Sequence, residues 1–225
     1  MSESERTSED LDVLVRGYAG VSLDLFGTLV SVDRPDDPAA ALARELDRRG
    51  LSVPDDWAAA YSERHLDVKE RAERPLSEHV VAALASREPI VRQEIRPTVE
   101  AAVSDAFAVD AQPRSGAKRA VEGLSNRRPL GVLSNCAVPG LATRALDSAG
   151  IDTTAFETVV TSVGCGWRKP DRRAFEAVAG ELGVDVEKLL HIGDDARTDG
   201  GITAAGGASC IVEDGTLAAW GQRWD

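Results

Sequence analysis

Residues 21–29, with the sequence VSLDLFGTL, constrain the fold more than any other stretch of the chain. The apolar run leads into an acid, Asp24, and then meets Gly27-Thr28, as expected of a buried parallel strand followed by a sharp turn. In open α/β sheets, ligands bind beyond the carboxyl ends of the strands, so Asp24 is a candidate catalytic residue. An acid that only caps the turn is the alternative interpretation of this stretch alone.

The second half of the chain alternates strand and helix patterns. Apolar strands are predicted at residues 129–135, 157–162, 189–193 and 208–212, and a helix pattern separates each from the next. Such alternation is typical of a parallel sheet with helices on both faces. Together with the strand that starts near residue 20, it predicts a doubly wound α/β fold.

Residues 32–110 show helix patterns and no convincing strand. Asp37 before Pro38 is the start signal of a first helix, which is expected to run to Gly50. Three further helices are predicted: one from residue 54 that carries Trp57, Tyr61, His65 and Val68, one capped by Ser77, and one over 89–108 interrupted at Pro97.

These patterns divide the chain into a core domain (18–31 and 111–225), a helical insert (32–110) and an acidic lead-in (1–17). The lead-in lacks the apolar segment of a signal peptide, and no stretch approaches the ~18 apolar residues of a membrane span. The three cysteines show no CxxC spacing and are expected to be free thiols of a reducing compartment. We therefore expect a cytoplasmic protein.

The net charge of −12, from 38 acidic and 26 basic residues, disfavours nonspecific binding to nucleic acid or to an anionic membrane. Only four of the basic residues are lysines. This Asp-rich, Lys-poor balance resembles that of proteins from salt-loving archaea, whose molar salt screens charge repulsion to a Debye length of ~3 Å. An acidic protein from an ordinary organism is the alternative interpretation.

Polar residues follow each predicted core strand. Asp24 follows the first, Ser134-Asn135 ends the second, Lys169 comes after the third, and Asp194 follows the fourth. Singly, each has a plainer interpretation as a turn, a helix cap or a surface lysine. Because they stand at successive strand ends, we expect them to converge in one crevice. This set suits group transfer to a carboxylate, with Asp24 as nucleophile, the Ser134 hydroxyl on oxyanion oxygens and Lys169 as positive charge.

The same crevice is predicted to crowd four carboxylates around one lysine. Like charges held together either take up protons or recruit a cation. An oxygen-rich set of ligands suits Mg²⁺. The sequence therefore predicts a Mg²⁺ site, with candidate ligands Asp24, Asp194, Asp195 and Asp199.

The motifs DLFGTL, LSN, RKP and GDDARTD resemble, in order, the four motifs of the haloacid dehalogenase superfamily. The resemblance implies a Rossmann-like core and makes the helical insert a C1-type cap domain. It implies that Asp24 is the nucleophile and that Lys169 steadies the charge of the transferred group, which Thr28, Ser134 and Asn135 contact. It further implies a metal held by Asp24, the backbone carbonyl of Phe26 and Asp194, with support from Asp195 or Asp199.

Phe26 departs from the superfamily's phosphatases, which usually carry a second Asp two residues after the nucleophile as general acid/base. A phenyl ring cannot transfer a proton. The haloacid dehalogenases have an aromatic residue there and use no metal, but their fourth motif lacks the Gly-Asp pair kept here. The first motif thus favours a dehalogenase and the fourth a phosphatase. His65, His79 and Asp195 are candidate substitutes for the missing acid/base.

We expect a Mg²⁺-dependent hydrolase that cleaves a small phosphate monoester through an aspartyl-phosphate on Asp24. A metal-free 2-haloacid dehalogenase, in which Asp24 attacks carbon, is the alternative enzyme. A third interpretation is a catalytically weak protein that binds a phosphometabolite or another protein.

Overall fold

A computed structural model describes residues 13–87, 92–108 and 110–221 and contains a parallel sheet at its centre. The strands are β1 (Gly20–Leu23), β2 (Val30–Val32), β3 (Ala111–Pro113), β4 (Leu130–Ser134), β5 (Thr158–Thr161), β6 (Leu189–Gly193) and β7 (Ala208–Ile211). Five of them form the sheet in the order β5-β4-β1-β6-β7, and all its neighbouring pairs are parallel. The predicted α/β fold is therefore confirmed.

The central strand, β1, is buried along its whole length, as are its neighbours β4 and β6. Leu23 pairs with Val132 on one side and with Ile192 on the other. The strand order reverses between β1 and β6, and ligands of doubly wound sheets bind at such a reversal. Asp24, the residue after β1, lies at this point.

Four helices of the described residues lie between β2 and β3: α1 (Pro38–Asp47), α2 (Trp57–Ser62), α3 (Leu76–Ala85) and α4 (Arg92–Ala106). The predicted start of α1 is confirmed, because the Asp37 side chain accepts a hydrogen bond from Ala40 N at 2.9 Å and Pro38 opens the helix. The predicted interruption at Pro97 is wrong, since α4 continues through it.

The second predicted helix is too long, because α2 ends at Ser62 and excludes His65 and Val68. The following segment, residues 63–75, makes long-range contacts with the core instead. The backbone N–H of Glu73 donates to Gly166 O at 2.9 Å, and Ala72 forms a β-bridge with Trp167. The predicted cap at Ser77 is also wrong, because α3 begins one residue earlier and Ser77 is buried within it.

The ribbon of β2 and β3 was not predicted. These two strands pair antiparallel, with Val30 opposite Pro113 and Val32 opposite Ala111. The ribbon brings together the two points at which the chain passes between the sheet and α1–α4. Those points coincide with the predicted boundaries of the helical insert, whose standing as a separate domain stays a prediction.

The remaining helices flank the sheet: α5 (Ala117–Ser125), α6 (Leu141–Ser148), α7 (Ser162–Cys165), α8 (Arg172–Glu181) and α9 (Thr216–Gly221), with a 3₁₀ segment at Asp199–Ala205. The apolar core of α1–α4 extends onto Cys136, Val138 and Leu141, which follow β4. Phe26 packs against both this cluster and the apolar core of the sheet. No helix in the described ranges is long and apolar enough to cross a membrane.

Candidate active site

The Lys169 side chain joins two carboxylates beneath the strand ends. Its Nζ lies 2.6 Å from Asp24 Oδ1 and 2.7 Å from Asp199 Oδ1, and only 1% of the side chain is exposed. A buried ammonium needs such compensation, because desolvation of an unpaired charge costs several kcal/mol. Three residues predicted from different motifs therefore meet in one ion-pair network.

Asn135 holds the backbone of Lys169 in place. Its Oδ1 accepts a hydrogen bond from Lys169 N at 2.8 Å, and its Nδ2 donates to Lys169 O at 3.0 Å. Two bonds to one peptide segment fix both the position and the orientation of the lysine backbone. Asn135 thus positions Lys169 in the structure, while its predicted contact with the transferred group stays a prediction.

Three carboxylates converge on one point. Asp24, Asp194 and Asp199 offer oxygen atoms that all lie within 4.8 Å of one another. Asp24 and Asp199 are buried, whereas Asp194 is exposed and accepts a hydrogen bond from the Thr28 hydroxyl at 2.6 Å. Gly27 makes this approach feasible, since its φ of 100° and the collision that a Cβ would make with the Asp194 carboxylate both require glycine.

Asp195 is the predicted ligand whose carboxylate lies outside this cluster. Its side chain accepts hydrogen bonds from Arg197 N at 2.8 Å and from the Arg197 guanidinium, which lowers the pKa of the Asp195 carboxyl. Its backbone N–H donates to Asp199 Oδ2 at 2.9 Å. The direct contribution of Asp195 to the cluster is therefore the position of Asp199.

Beneath Lys169 lies a buried pair of residues, His191 and Ser22, which was not predicted from the sequence. The Ser22 hydroxyl lies 2.8 Å from His191 Nδ1, and His191 Nε2 lies 3.2 Å from Asp199 Oδ1. Because a carboxylate only accepts, this geometry favours a neutral imidazole with its proton on Nε2 and with Nδ1 accepting from Ser22. The sequence feature that could have revealed this pair is the histidine inside the otherwise apolar strand LLHIG.

The charges of this network are set by burial and by its single cation. Burial raises the pKa of Asp24 to about 6, even though Lys169 opposes the shift, so the carboxylate is mostly ionised at neutral pH. Burial, followed by the charge of Lys169, lowers the pKa of His191 to about 4 and keeps it neutral. Burial alone would raise the pKa of Asp199, but the hydrogen bond from His191 and the charge of Lys169 outweigh it and keep this pKa below its usual range.

Ser134 ends β4, the neighbour of β1, and its hydroxyl is buried without a hydrogen-bond partner. Buried polar groups of folded proteins nearly always have partners, and those without them are often completed by a ligand or a water. The position and the unused hydrogen-bonding capacity of Ser134 suit the oxyanion-binding role expected of it.

Phe26 and the two histidines of the helical segment do not belong to the Lys169 ion-pair network. Phe26 is half-buried, and the Arg34 guanidinium carbon lies 5.8 Å from its ring centroid. His65 and His79 line a separate cavity of about 290 Å³ with Arg168, and each Nε2 donates to a backbone carbonyl, at 2.6 and 2.7 Å. Their predicted substitution for the acid/base stays a prediction.

The family of the chain is decided by a sequence comparison. A family model described as haloacid dehalogenase-like hydrolase matches residues 18–206, which include all four motifs. The chain belongs to the haloacid dehalogenase-like hydrolases. A search of curated proteins found no match.

Solved structures of this superfamily share the fold at low identity. A 2-haloacid dehalogenase from Pseudomonas syringae pv. tomato has a TM-score of 0.63 at 22% identity, with 86% of each chain covered. The hydrolase YfnB from Bacillus subtilis, whose structure is bound to magnesium, has a TM-score of 0.52 at 18% identity, covering 87% of this chain and 88% of its own. A predicted phosphoglycolate phosphatase from Haemophilus somnus also has a TM-score of 0.52 at 18% identity, covering 89% of this chain and 91% of its own. The chain therefore shares its fold with a dehalogenase and with a predicted phosphatase alike.

Proposed function

We propose that this hydrolase is a Mg²⁺-dependent phosphatase that cleaves small phosphate monoesters through an aspartyl-phosphate on Asp24. The observation that carries the proposal is the cluster of Asp24, Asp194 and Asp199, two of which, Asp24 and Asp199, pair with the one ammonium group of Lys169. Three carboxylates against one lysine leave an excess of negative charge, which a divalent cation would neutralise.

The donor set fits Mg²⁺ in its chemistry, because it consists of hard oxygen atoms. Asp24, Asp194 and the backbone carbonyl of Phe26 would hold the ion, and Asp199 would support it. When bound, the ion would neutralise charge on the nucleophile and on the transferred phosphoryl group. YfnB, which shares the fold, has been crystallised with magnesium.

The residues of the chain would then act in two steps. In the first, Asp24 attacks phosphorus with one oxygen while Lys169 holds the other, and the bond from phosphorus to the ester oxygen breaks with its electron pair leaving on that oxygen. The Ser134 hydroxyl would donate to a phosphoryl oxygen. In the second step a water molecule attacks the phosphorus of the aspartyl-phosphate, which releases inorganic phosphate and restores the carboxylate.

Helices α1–α4 would act in this reaction as a C1-type cap domain. Their apolar core reaches the segment after β4, and residues 72–73 bond to the loop before Lys169. The Glu73 carboxylate also accepts a hydrogen bond from the buried Ser162 hydroxyl at 3.0 Å. These contacts would exclude bulk water from the aspartyl-phosphate and would surround the organic part of the substrate.

A 2-haloacid dehalogenase is the second candidate, and Phe26 is the observation that favours it. In that reaction Asp24 would attack the carbon that carries the halogen, and the halide would leave with the bonding electrons. The halide leaves without taking up a proton, so this first step makes no demand for an acid at position 26. A water molecule would then attack the carbonyl carbon of the aspartyl ester, releasing the 2-hydroxy acid and a proton and restoring the Asp24 carboxylate. A catalytically weak protein that binds a phosphometabolite or another protein is the third candidate.

One panel separates these candidates. Phosphate monoesters and 2-chloropropionate are incubated with the wild type, each with Mg²⁺ and with EDTA. We expect phosphate release only with Mg²⁺. Chloride release in EDTA would establish the dehalogenase, and phosphate affinity without turnover would establish the binding protein.

A further inference from the structure

A second cavity is lined in part by residues that lie close in the chain to Asp24 and Ser134. It has a volume of about 180 Å³ and lies where β2, the residue after α4 and the segment after β4 meet. Phe26 forms one wall, and Asn135, which holds Lys169, forms another. The cavity therefore shares Phe26 and Asn135 with the surroundings of Asp24 and Lys169, and we call it the Phe26 cavity.

Its remaining walls are largely apolar, with side chains of Val32, Phe107, Val138 and Leu141. The thiol of Cys136 also lines it, and burial raises the pKa of that thiol, so the group stays neutral. An apolar cavity of about 150 Å³ is large enough to hold a benzene ring. The Phe26 cavity thus has the size and surface for a compact apolar group such as a single ring.

Arg34 is the cationic residue on the wall of the Phe26 cavity. Its guanidinium carbon lies 5.8 Å from the Phe26 ring centroid, and no carboxylate in the described parts of the chain forms an ion pair with it. Other arginines near α1–α4 are used differently, since Arg49 pairs with Glu45 and Arg87 pairs with Glu63. In a chain of net charge −12, an anionic substrate group needs local positive charge to bind.

We propose that the Phe26 cavity binds the organic group of the substrate, that this group is a compact apolar one carrying its own carboxylate, and that Arg34 selects the carboxylate. The inference rests on the proposed phosphatase function and adds the class of ester to it. A guanidinium presents two parallel N–H donors to a carboxylate, which gives direction as well as attraction. The apolar walls accept the ring or alkyl body, while Arg34 lies at the exposed side, where a charged end keeps part of its hydration.

Three aryl phosphates of matched shape test the proposal. Phenyl phosphate, 4-carbamoylphenyl phosphate and 4-carboxyphenyl phosphate are assayed with the wild type at saturating Mg²⁺. We expect kcat/KM for the carboxylate ester to exceed that for the neutral carbamoyl ester by about tenfold, as one charged hydrogen-bonded pair would give. The difference should lie in KM, and molar KCl should reduce it.

Two variants and one control assign the preference to residues. Arg34→Met keeps an apolar side chain over Phe26 and removes the charge, so the ratio between the two esters should fall close to one. Arg44→Met changes an exposed arginine of α1 outside the cavity and should leave the ratio as in the wild type. Val138→Phe fills the cavity, so kcat/KM for phenyl phosphate should fall about tenfold relative to that for acetyl phosphate, which has no ring.

The outcomes separate this inference from the proposed function. Equal kcat/KM for the carboxylate and carbamoyl esters, or a preference that survives Arg34→Met, would overturn the inference and leave the phosphatase intact. If Val138→Phe leaves the ratio of kcat/KM for phenyl phosphate to that for acetyl phosphate unaltered, the ring binds elsewhere and the inference is overturned. Hydrolysis of none of these phosphates would overturn both.

Discussion

The Nζ atom of Lys169 lies 2.6 Å from Oδ1 of Asp24, at the carboxyl end of the central strand. This contact occupies one carboxylate oxygen and leaves the other for attack. Asp24→Asn removes the negative charge with little change in volume. We therefore expect hydrolysis to fall by several orders of magnitude while the melting temperature stays close to that of the wild type.

Steady-state kinetics and thermal unfolding check the prediction for Asp24→Asn, and Asp147→Asn is the matched control at an exposed acid of α6. Retained turnover would exclude the covalent carboxylate mechanism.

Two adjacent acids, Asp194 and Asp195, offer a matched test of the metal site. Millimolar Mg²⁺ should raise the melting temperature of the wild type, because the ion binds the folded site and not the unfolded chain; at 100 times Kd the gain is about 2.7 kcal/mol. Asp194→Asn should abolish the rise, since this carboxylate belongs to the cluster. Asp195→Asn should retain most of it, because the Asp195 carboxylate pairs with Arg197. A wild type without any Mg²⁺-dependent shift would favour the dehalogenase.

The unpartnered Ser134 hydroxyl predicts an unusual combination of effects. Ser134→Ala removes an expected donor to the transferred group, so kcat should fall by about 10²–10³. The free energy of unfolding should not fall, because the hydroxyl has no partner to lose.

Ser162→Ala is the control for this change. Ser162 is equally buried, but its Oγ accepts from Cys136 N at 2.9 Å and donates to Glu73. Ser162→Ala removes this hydroxyl and should lower the free energy of unfolding by about 1–3 kcal/mol. Denaturant unfolding of both variants makes the comparison. A destabilised Ser134→Ala protein with normal kcat would contradict the functional role.

The acidic composition predicts that salt stabilises the protein. Raising KCl from low concentration to 2 M screens repulsion within a chain of net charge −12, and a gain of about 2 kcal/mol would raise the melting temperature by about 4–8 °C. Four exposed acids, Asp36, Asp55, Glu100 and Asp147, provide the control. Their replacement by Asn or Gln should reduce the salt-dependent rise. A flat or falling melting temperature would argue against a high-salt origin.

The strands and the polar residues at their ends could be predicted because both depend on local patterns. A buried parallel strand is a continuous apolar run, and its carboxyl end is fixed by topology, so Asp24 and Lys169 could be placed together from the sequence alone. The start of α1 could likewise be predicted from Asp37 and Pro38, since a helix cap is a contact between near neighbours in the chain.

The rest depends on contacts between distant parts of the chain. The helix pattern that runs on to Val68 is overridden where residues 72–73 bond to the loop at 166–167, about 90 positions later. The β2–β3 ribbon joins segments of three residues each, which are too short to give a strand signal. His191 carried a signal, but its partner Ser22 could be identified only once β1 and β6 were known to be neighbours.

At Phe26 the chain departs from the usual phosphatase motif. A leaving alkoxide needs a proton, and the water that attacks the aspartyl-phosphate must lose one; a positioned acid/base contributes typically 10²–10⁴-fold to such steps. With a phenyl ring in that place, the wild type should favour aryl and acyl phosphates over alkyl phosphates. Phe26→Asp should raise alkyl-phosphate turnover more than aryl-phosphate turnover, as kcat values for the two classes would show.

Phe26→Asn is the matched variant, because it has nearly the same size and polarity as the Asp variant but cannot transfer a proton. Both changes give up the packing of Phe26 against two apolar clusters, which costs up to about 1.5–3 kcal/mol, so unfolding must be measured beside activity. Arg34 lies over the ring and would offset part of this loss for the carboxylate alone. A gain on alkyl phosphates in the Asp variant and none in the Asn variant would assign the missing proton transfer to this position. Equal behaviour of two folded variants would mean that another group handles the proton, or that a phosphate ester is not the substrate.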